Sequence, residues 1–160
     1  MTIAHPDIST DWLRGVLTGD ATLMAMQVTI NGTPQTLKGV FYMRVPQELE
    51  ISEAYPCVIV NQPISNALAL LKKPNGPLVA SAGFLQDVRV AARDVEPDSA
   101  EMRAIRARII ELLEGGFGVV AGGRVGACAI DRFLPDQRFD RGGYVYSEIG
   151  VTFVLDSQLT

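Results

Sequence analysis

Chemistry needs nucleophiles, bases or ligands at defined spacing, and in this 160-residue chain the candidates are few. His5 is the only histidine and lies near the N-terminus, which argues against histidine-based triads and histidine-rich metal sites. Ala80-Ser81-Ala82-Gly83 lacks the first glycine of a Gly-x-Ser-x-Gly nucleophile elbow. Asp131, Asp136 and Asp140 form a carboxylate set of the kind that suits magnesium or calcium. Arg132, Arg138 and Arg141 are interleaved with them, so mutual salt bridging in a solvated or subunit-contacting loop is the simpler expectation. The run Gly116-Phe117-Gly118-Val119-Val120-Ala121-Gly122-Gly123 is glycine-rich, but it follows a helix end and leads into a strand. Phosphate-binding loops run from a strand to a helix N-terminus, and there is no Gly-Lys-Ser/Thr here. Cys57 and Cys128 sit in apolar, strand-like runs and read as small core residues rather than ligands or a bridge. No catalytic residue, cofactor site or metal site is nominated, and the chain is read as not an enzyme.

The strongest element signal runs from Phe84 to Leu113. In Leu85–Arg93, Val88, Val90 and Ala92 alternate with Asp87, Arg89, Ala91 and Arg93, the period of a strand with one buried and one wet face. Asp98 followed by Glu101 has the spacing of a capping box. Met102, Ile105, Ile109, Leu112 and Leu113 then form one apolar stripe, with Glu101, Arg103, Arg106, Arg108, Glu111 and Glu114 on the remaining surface. Gly115-Gly116 ends that helix. The charged face, with Arg89, Arg93, Arg103, Arg106 and Arg108, is read as surface open to neighbouring subunits.

The other elements follow in order. Ser9-Thr10-Asp11 offers caps before a short helix, Trp12–Leu17, and Trp12, the only tryptophan, is expected to anchor it on the sheet. Thr18-Gly19-Asp20 punctuates, and residues 21–26 make another helical turn. Gln27–Ile30 and Thr36–Tyr42 flank Asn31-Gly32-Thr33-Pro34, a strong hairpin signal. Pro46–Ala54 reads as a loop. Cys57–Asn61, apolar on both faces and started by Pro56, reads as a central strand. Gln62–Gly83 is irregular: Ala67–Leu71 has the makings of a helical turn, and Lys72-Lys73-Pro74-Asn75-Gly76-Pro77 breaks it. Val125–Leu134 and Tyr144–Leu155 read as the last two strands, joined by a charged, flexible tip, Pro135–Gly143.

Composition bounds the rest. A hydrophobic fraction of 48% and a charged fraction of 20% are ordinary for a globular protein, and a net charge of −4 gives no reason to expect DNA as a direct partner. Unpaired cysteines fit a reducing cytoplasm during folding. Met1–Pro6 has no basic region leading into an apolar run, so no signal peptide is expected, and no apolar segment approaches membrane-spanning length.

Taken together, the order of elements resembles the tail-terminator (tail-completion) family of long-tailed bacteriophages and prophages. The residues that carry the likeness are the helix Trp12–Leu17 with the turn Gly19-Asp20-Ala21, the proline-led strand Tyr55-Pro56-Cys57-Val58-Ile59-Val60, and Asp87–Asp94 feeding an Ala/Arg-rich helix, Ala100–Leu113. A glycine-rich connection and two final strands complete it. The Asn31-Gly32 hairpin and the Pro63–Gly83 segment depart from the family pattern. The resemblance implies a mixed sheet with helices on one face. With the strands above, the expectation is an α+β fold over residues 1–160: a single mixed, mainly antiparallel sheet with two or three helices packed mainly on one face. It also implies a structural protein of the virion tail, assembled in the host cytoplasm. Such a protein forms a homohexameric ring, caps the tail tube, ends its polymerisation and joins head to tail. The implied partners are other copies of the chain, the tail tube protein and the head–tail connector protein, with no sequence-specific nucleic acid and no membrane. The Gln62–Pro77 and Pro135–Gly143 segments are the expected contact elements, with Lys72, Lys73, Arg138, Asp140 and Arg141 as polar contacts; the alternative is that both are solvated loops. Other roles that remain open are a head-side neck or connector protein, another tail-assembly factor, or a small cytosolic enzyme or ligand-binding domain.

Overall fold

A computed structural model describes residues 7–45, 51–65, 81–97 and 99–159. Helices α1 (Asp7–Thr18) and α2 (Ala21–Met24) lead into strands β1 (Gln27–Ile30), β2 (Thr33–Thr36) and β3 (Val40–Tyr42). The helical turn α3 (Ile51–Ala54) precedes β4 (Cys57–Val60) and β5 (Ile64–Ser65). Then come β6 (Ser81–Arg93), α4 (Ala100–Leu113), β7 (Gly118–Val120), β8 (Gly123–Arg141) and β9 (Tyr144–Leu159). The main sheet runs β3-β4-β6-β9-β8-β7, with β5 also on β6, and β1 and β2 form a separate hairpin. Only the β3–β4 pair is parallel; the rest is antiparallel. The fold is α+β, with a mixed sheet and helices on one face.

Alternation along the strands decides which face is core. Val58, Val60, Val88, Val90, Ala92, Ile149, Val151, Phe153 and Leu155 pack with Trp12, Leu13 and Leu17 of α1, Leu23 of α2, and Met102, Ile105, Ile109 and Leu113 of α4. Each such side chain withdrawn from water stabilises the fold by roughly 1.5–3 kcal/mol. On the opposite face Cys57, Ile59 and Ala91 form a small second cluster with Phe41, Val45 and Tyr55 against it. Cys57 and Cys128 are buried free thiols, as their apolar surroundings imply. The described residues contain no helix long and apolar enough to cross a membrane.

Several expectations are corrected. Helix α1 begins at Asp7, so Ser9 and Thr10 lie inside it and are buried rather than capping it. The α4 cap is Ser99, whose side chain accepts from Met102 N at 3.2 Å, while Asp98 lies outside the described residues. No capping box forms, because Glu101 turns away to accept from Thr29 N (2.9 Å) and Thr29 Oγ1 (3.1 Å), tying the β1–β2 hairpin to α4. That hairpin turns at Asn31-Gly32 (φ 49° and 79°), but its second arm is Thr33–Thr36, and Val40–Tyr42 instead joins the main sheet beside β4. Residues 51–54 are helical rather than loop, and Ile64–Ser65 and Ser81–Gly83 are strand; Ala67–Leu71 and residues 46–50 lie outside the described residues. Pro135–Arg141 is not a flexible tip but the end of β8, which turns into β9 only at Gly142-Gly143.

Candidate functional site

The β8–β9 ribbon dominates the molecule's exposed edge. Only Gly123–Val125 of the nineteen-residue β8 pair with β7, so from Gly126 to Arg141 one side of the strand has no strand partner among the described residues. An unpaired edge of that length invites indiscriminate pairing unless it is interrupted. Register shifts at Val125/Ala127, Ile130/Arg132 and Leu134/Gln137 interrupt it, and the last of these accommodates Pro135, which has no amide to donate.

The charges on the ribbon are tied down differently from the expected mutual bridging. Only Arg132–Asp131 pairs within the set, at 3.8 Å. Asp136 instead meets Arg106 of α4 at 3.5 Å, Arg106 lies 5.1 Å over the Phe133 ring, and Arg138 pairs with Glu96. The reason is geometric: the ribbon runs past α4 and the β6–α4 connection, whose charges come closer than those two or more residues along a strand. No group of three metal-ligating side chains occurs among the described residues. Of the arginine-rich face expected to be open to neighbouring subunits, Arg89, Arg93, Arg106 and Arg108 are engaged within the chain, while Arg103 is exposed. Arg89 bridges Asp87 (3.4 Å) and Glu148 (3.3 Å), Arg93 meets Asp94 at 3.3 Å, and Arg108 binds Asp20 (2.8 Å) and Glu111 (3.0 Å).

Asp20 joins two elements, because it also caps α2 by accepting from Leu23 N at 2.8 Å. The Arg108 guanidinium, and then the Leu23 amide, hold its carboxyl below the usual carboxylate range, and Asp20 and Glu111 raise Arg108 in return. A folded pKa below the unfolded value of 3.8 contributes stability that is complete above pH 3.8 and is lost as pH falls through the lowered value. Asp20→Asn is therefore expected to flatten the acid limb of the stability–pH curve below about pH 4, measured by urea unfolding at stepped pH; an unchanged limb would count against this assignment.

At the free end of the ribbon lies an aromatic pocket of about 340 Å³. Tyr55, Phe139 and Tyr146 wall it, with ring centroids 5.1 Å apart for Tyr55–Tyr146 and 5.8 Å for Phe139–Tyr146. Met43, Val45 and Ile59 add apolar surface, and Arg44, Arg141 and Glu148 supply charge. Burial first, then the neighbouring Cys57, Tyr146 and Glu148, push the Tyr55 hydroxyl up to about 12, so it stays protonated and able to donate. At the other end of the ribbon, a recess of about 400 Å³ is bordered by Phe117, Val119, Arg124, Asp156 and Gln158.

This fold has a counterpart among solved structures. The chain matches one from the virion of a native gene transfer agent particle with a TM-score of 0.60, at 19% identity and with 91% of each chain covered. The two chains share a fold. No protein-family model matches the sequence, and no curated protein matches it.

Of the anticipated contact residues, Lys72 and Lys73 lie outside the described residues. Arg138, Asp140 and Arg141 are exposed at the end of β8, and of these only Arg141 lines the pocket. The pocket itself was not anticipated, because Tyr55, Phe139 and Tyr146 come from distant segments that only the sheet brings together. Phe117 had a local signal. A Cβ at Gly116 would stand 2.8 Å from Trp12, and one at Gly118 would stand 2.7 Å from its Nε1. The glycines therefore face Trp12, and the period of two turns Phe117 and Val119 outward, where they are 76% and 77% exposed.

Proposed function

We propose that the chain is a structural protein of a phage-like virion, a tail terminator. In this reading it closes as a hexameric ring on the end of the tail tube, halts growth of the tube and offers its other face to the head-side connector. The observation that carries the proposal is the shared fold with a chain of the gene transfer agent virion, spanning 91% of both chains. Physical features are compatible with it. A ring requires head-to-tail contacts between two different surfaces of one chain, and the two ends of the β8–β9 ribbon differ in shape and charge. A net charge of −4 suits a passage through which DNA slides without adhering.

Removing the chain from a tail-producing phage or prophage tests the role. Overlong tubes are expected; normal but unjoined tails would instead identify a head-side connector, and intact particles would remove both readings. Within the terminator reading, Arg138→Glu with Arg141→Glu is expected to weaken capping and lengthen tubes while the fold survives. The Arg138–Glu96 pair is exposed on both sides, and such pairs contribute about 0–1 kcal/mol. Wild-type tube lengths with the double variant would rule out this end of the ribbon as a capping contact.

A further inference from the structure

We infer that adjacent copies of this chain join by seating the Phe117–Val119 knob of one copy in the Tyr55–Phe139–Tyr146 pocket of the next. This rests on the ring reading and specifies its interface. Phe117 and Val119 are far more exposed than apolar side chains of that size ordinarily are, and the Trp12–glycine contacts beneath them hold them outward, Val119 on β7 and Phe117 on the residue leading into it. The pocket is open, lined by three rings and by Met43, Val45 and Ile59, and its volume of about 340 Å³ admits a phenyl side chain. Charge favours the same pairing. Arg44 and Arg141 at the pocket have no ion-pair partner among the described residues, the pocket's Glu148 being held by Arg89, whereas the knob follows the α4 end that carries Glu111; Glu114 there accepts from Ile130 N, and Arg124 beside the knob donates to Gln158. Glu111 is 69% exposed even while it holds Arg108.

Placement decides between a second copy and a site used within one chain. Phe117 borders the recess that includes Gln158, and Tyr146 walls the pocket, so the two features lie at opposite ends of β9, about 40 Å apart along the strand at about 3.3 Å per residue. The knob of one chain cannot reach its own pocket. A knob and a socket on opposite ends of the same molecule make a heterologous contact, which repeats from copy to copy and closes into a ring when the rotation per step permits.

The test uses cysteines placed on the two surfaces of the full-length chain. Cys57 and Cys128 are buried and do not compete. Chains carrying Val119→Cys, which keep the Phe117 ring, are mixed with chains carrying Met43→Cys and oxidised; both positions are exposed, so folding is preserved. A disulfide-linked heterodimer is expected in about tenfold excess over a mixture with Thr33→Cys, a control on the β1–β2 hairpin. In parallel, Phe117→Asp is expected to weaken self-association about tenfold or more by sedimentation. An assembly of several chains without the specific link overturns the knob-and-pocket contact and leaves the ring reading standing. A chain that stays monomeric and unlinked at its highest soluble concentration also overturns the contact. Failure of the ring reading shows separately, in tube lengths after removal of the chain.

Discussion

Trp12→Ala is expected to lower the free energy of unfolding by about 3–5 kcal/mol, measured by urea denaturation followed by circular dichroism, since the variant has no tryptophan left to report by fluorescence. Trp12 is 5% exposed and belongs to the main core beside Leu13 and Leu17. It also carries β7: the backbone at Gly116 and Gly118 lies against the indole so closely that no Cβ fits. The companion variant makes the claim specific. Gly118→Ala in the wild-type background is expected to cost about 1–3 kcal/mol, as overpacking does. In the Trp12→Ala background the alanine enters the space the indole has left, and most of that cost should vanish. The resulting coupling should lie within the 0.5–3 kcal/mol typical of residues in contact, taken as about that range. Equal costs in both backgrounds would show that the glycine serves some need of the backbone rather than making room for Trp12. Because β7 carries Val119 and the residue leading into it is Phe117, Trp12→Ala is also expected to disorder the proposed knob before the fold as a whole is lost.

How much of this was readable in advance depends on how local the determinant is. Val88, Val90 and Ala92, then Met102, Ile105, Ile109 and Leu113, announced β6 and α4 because periods of two and 3.6 are written in neighbouring residues. Cys57–Val60 announced a strand buried on both faces, and Asn31-Gly32 announced its turn. What was misread depends on partners far along the chain. Ser9 and Thr10 have the short polar side chains of helix caps, and nothing nearby says that their partner is Gln86. Glu101 has capping-box spacing, but Thr29 competes for its carboxylate and supplies two donors.

The ribbon was misread for a different reason. Pro135 and the charges from Asp136 to Arg141 carry the composition of a loop, yet the register shift at Leu134/Gln137 absorbs the proline and β9 supplies the hydrogen bonds. Local propensity lost to pairing, as is common for strands. The candidate site was the least legible part, since an aromatic pocket assembled from three separate segments leaves no motif. Its one local trace was Gly116-Phe117-Gly118-Val119, where a large residue alternating with glycine implies something large beneath the glycines.

Gln86 is the second position where a large effect is expected. It is 1% exposed on the core face of β6, where a polar side chain must be fully partnered. Its Oε1 accepts from Ser9 Oγ at 3.0 Å, and its Nε2 donates to Thr10 Oγ1 at 2.7 Å and to the Asn61 carbonyl at 2.9 Å. One amide thus joins α1, β6 and the chain just after β4. Gln86→Leu keeps the bulk but deprives the Thr10 hydroxyl and the Asn61 carbonyl of their donor, and at about 1–3 kcal/mol for each group left unpaired the loss should reach about 2–6 kcal/mol. Adding Thr10→Val removes one of those orphaned groups and should return part of the loss; a double variant no better than the single one would mean that the hydroxyl finds another partner. Gln86→Glu separates donation from shape. Its carboxylate can accept from Ser9 and Thr10 but cannot donate to Asn61, and burial raises its folded pKa above the unfolded value of about 4.3. The protonated acid can donate, so this variant should come nearest to wild-type stability below about pH 4.3 and lose that stability as pH rises through the raised folded pKa. Wild type has no such group at this position, so the difference between the two stability–pH curves measures the cost of a charged side chain there, desolvation and the lost bond to Asn61 together, and parallel curves would show that the site accepts the carboxylate without penalty.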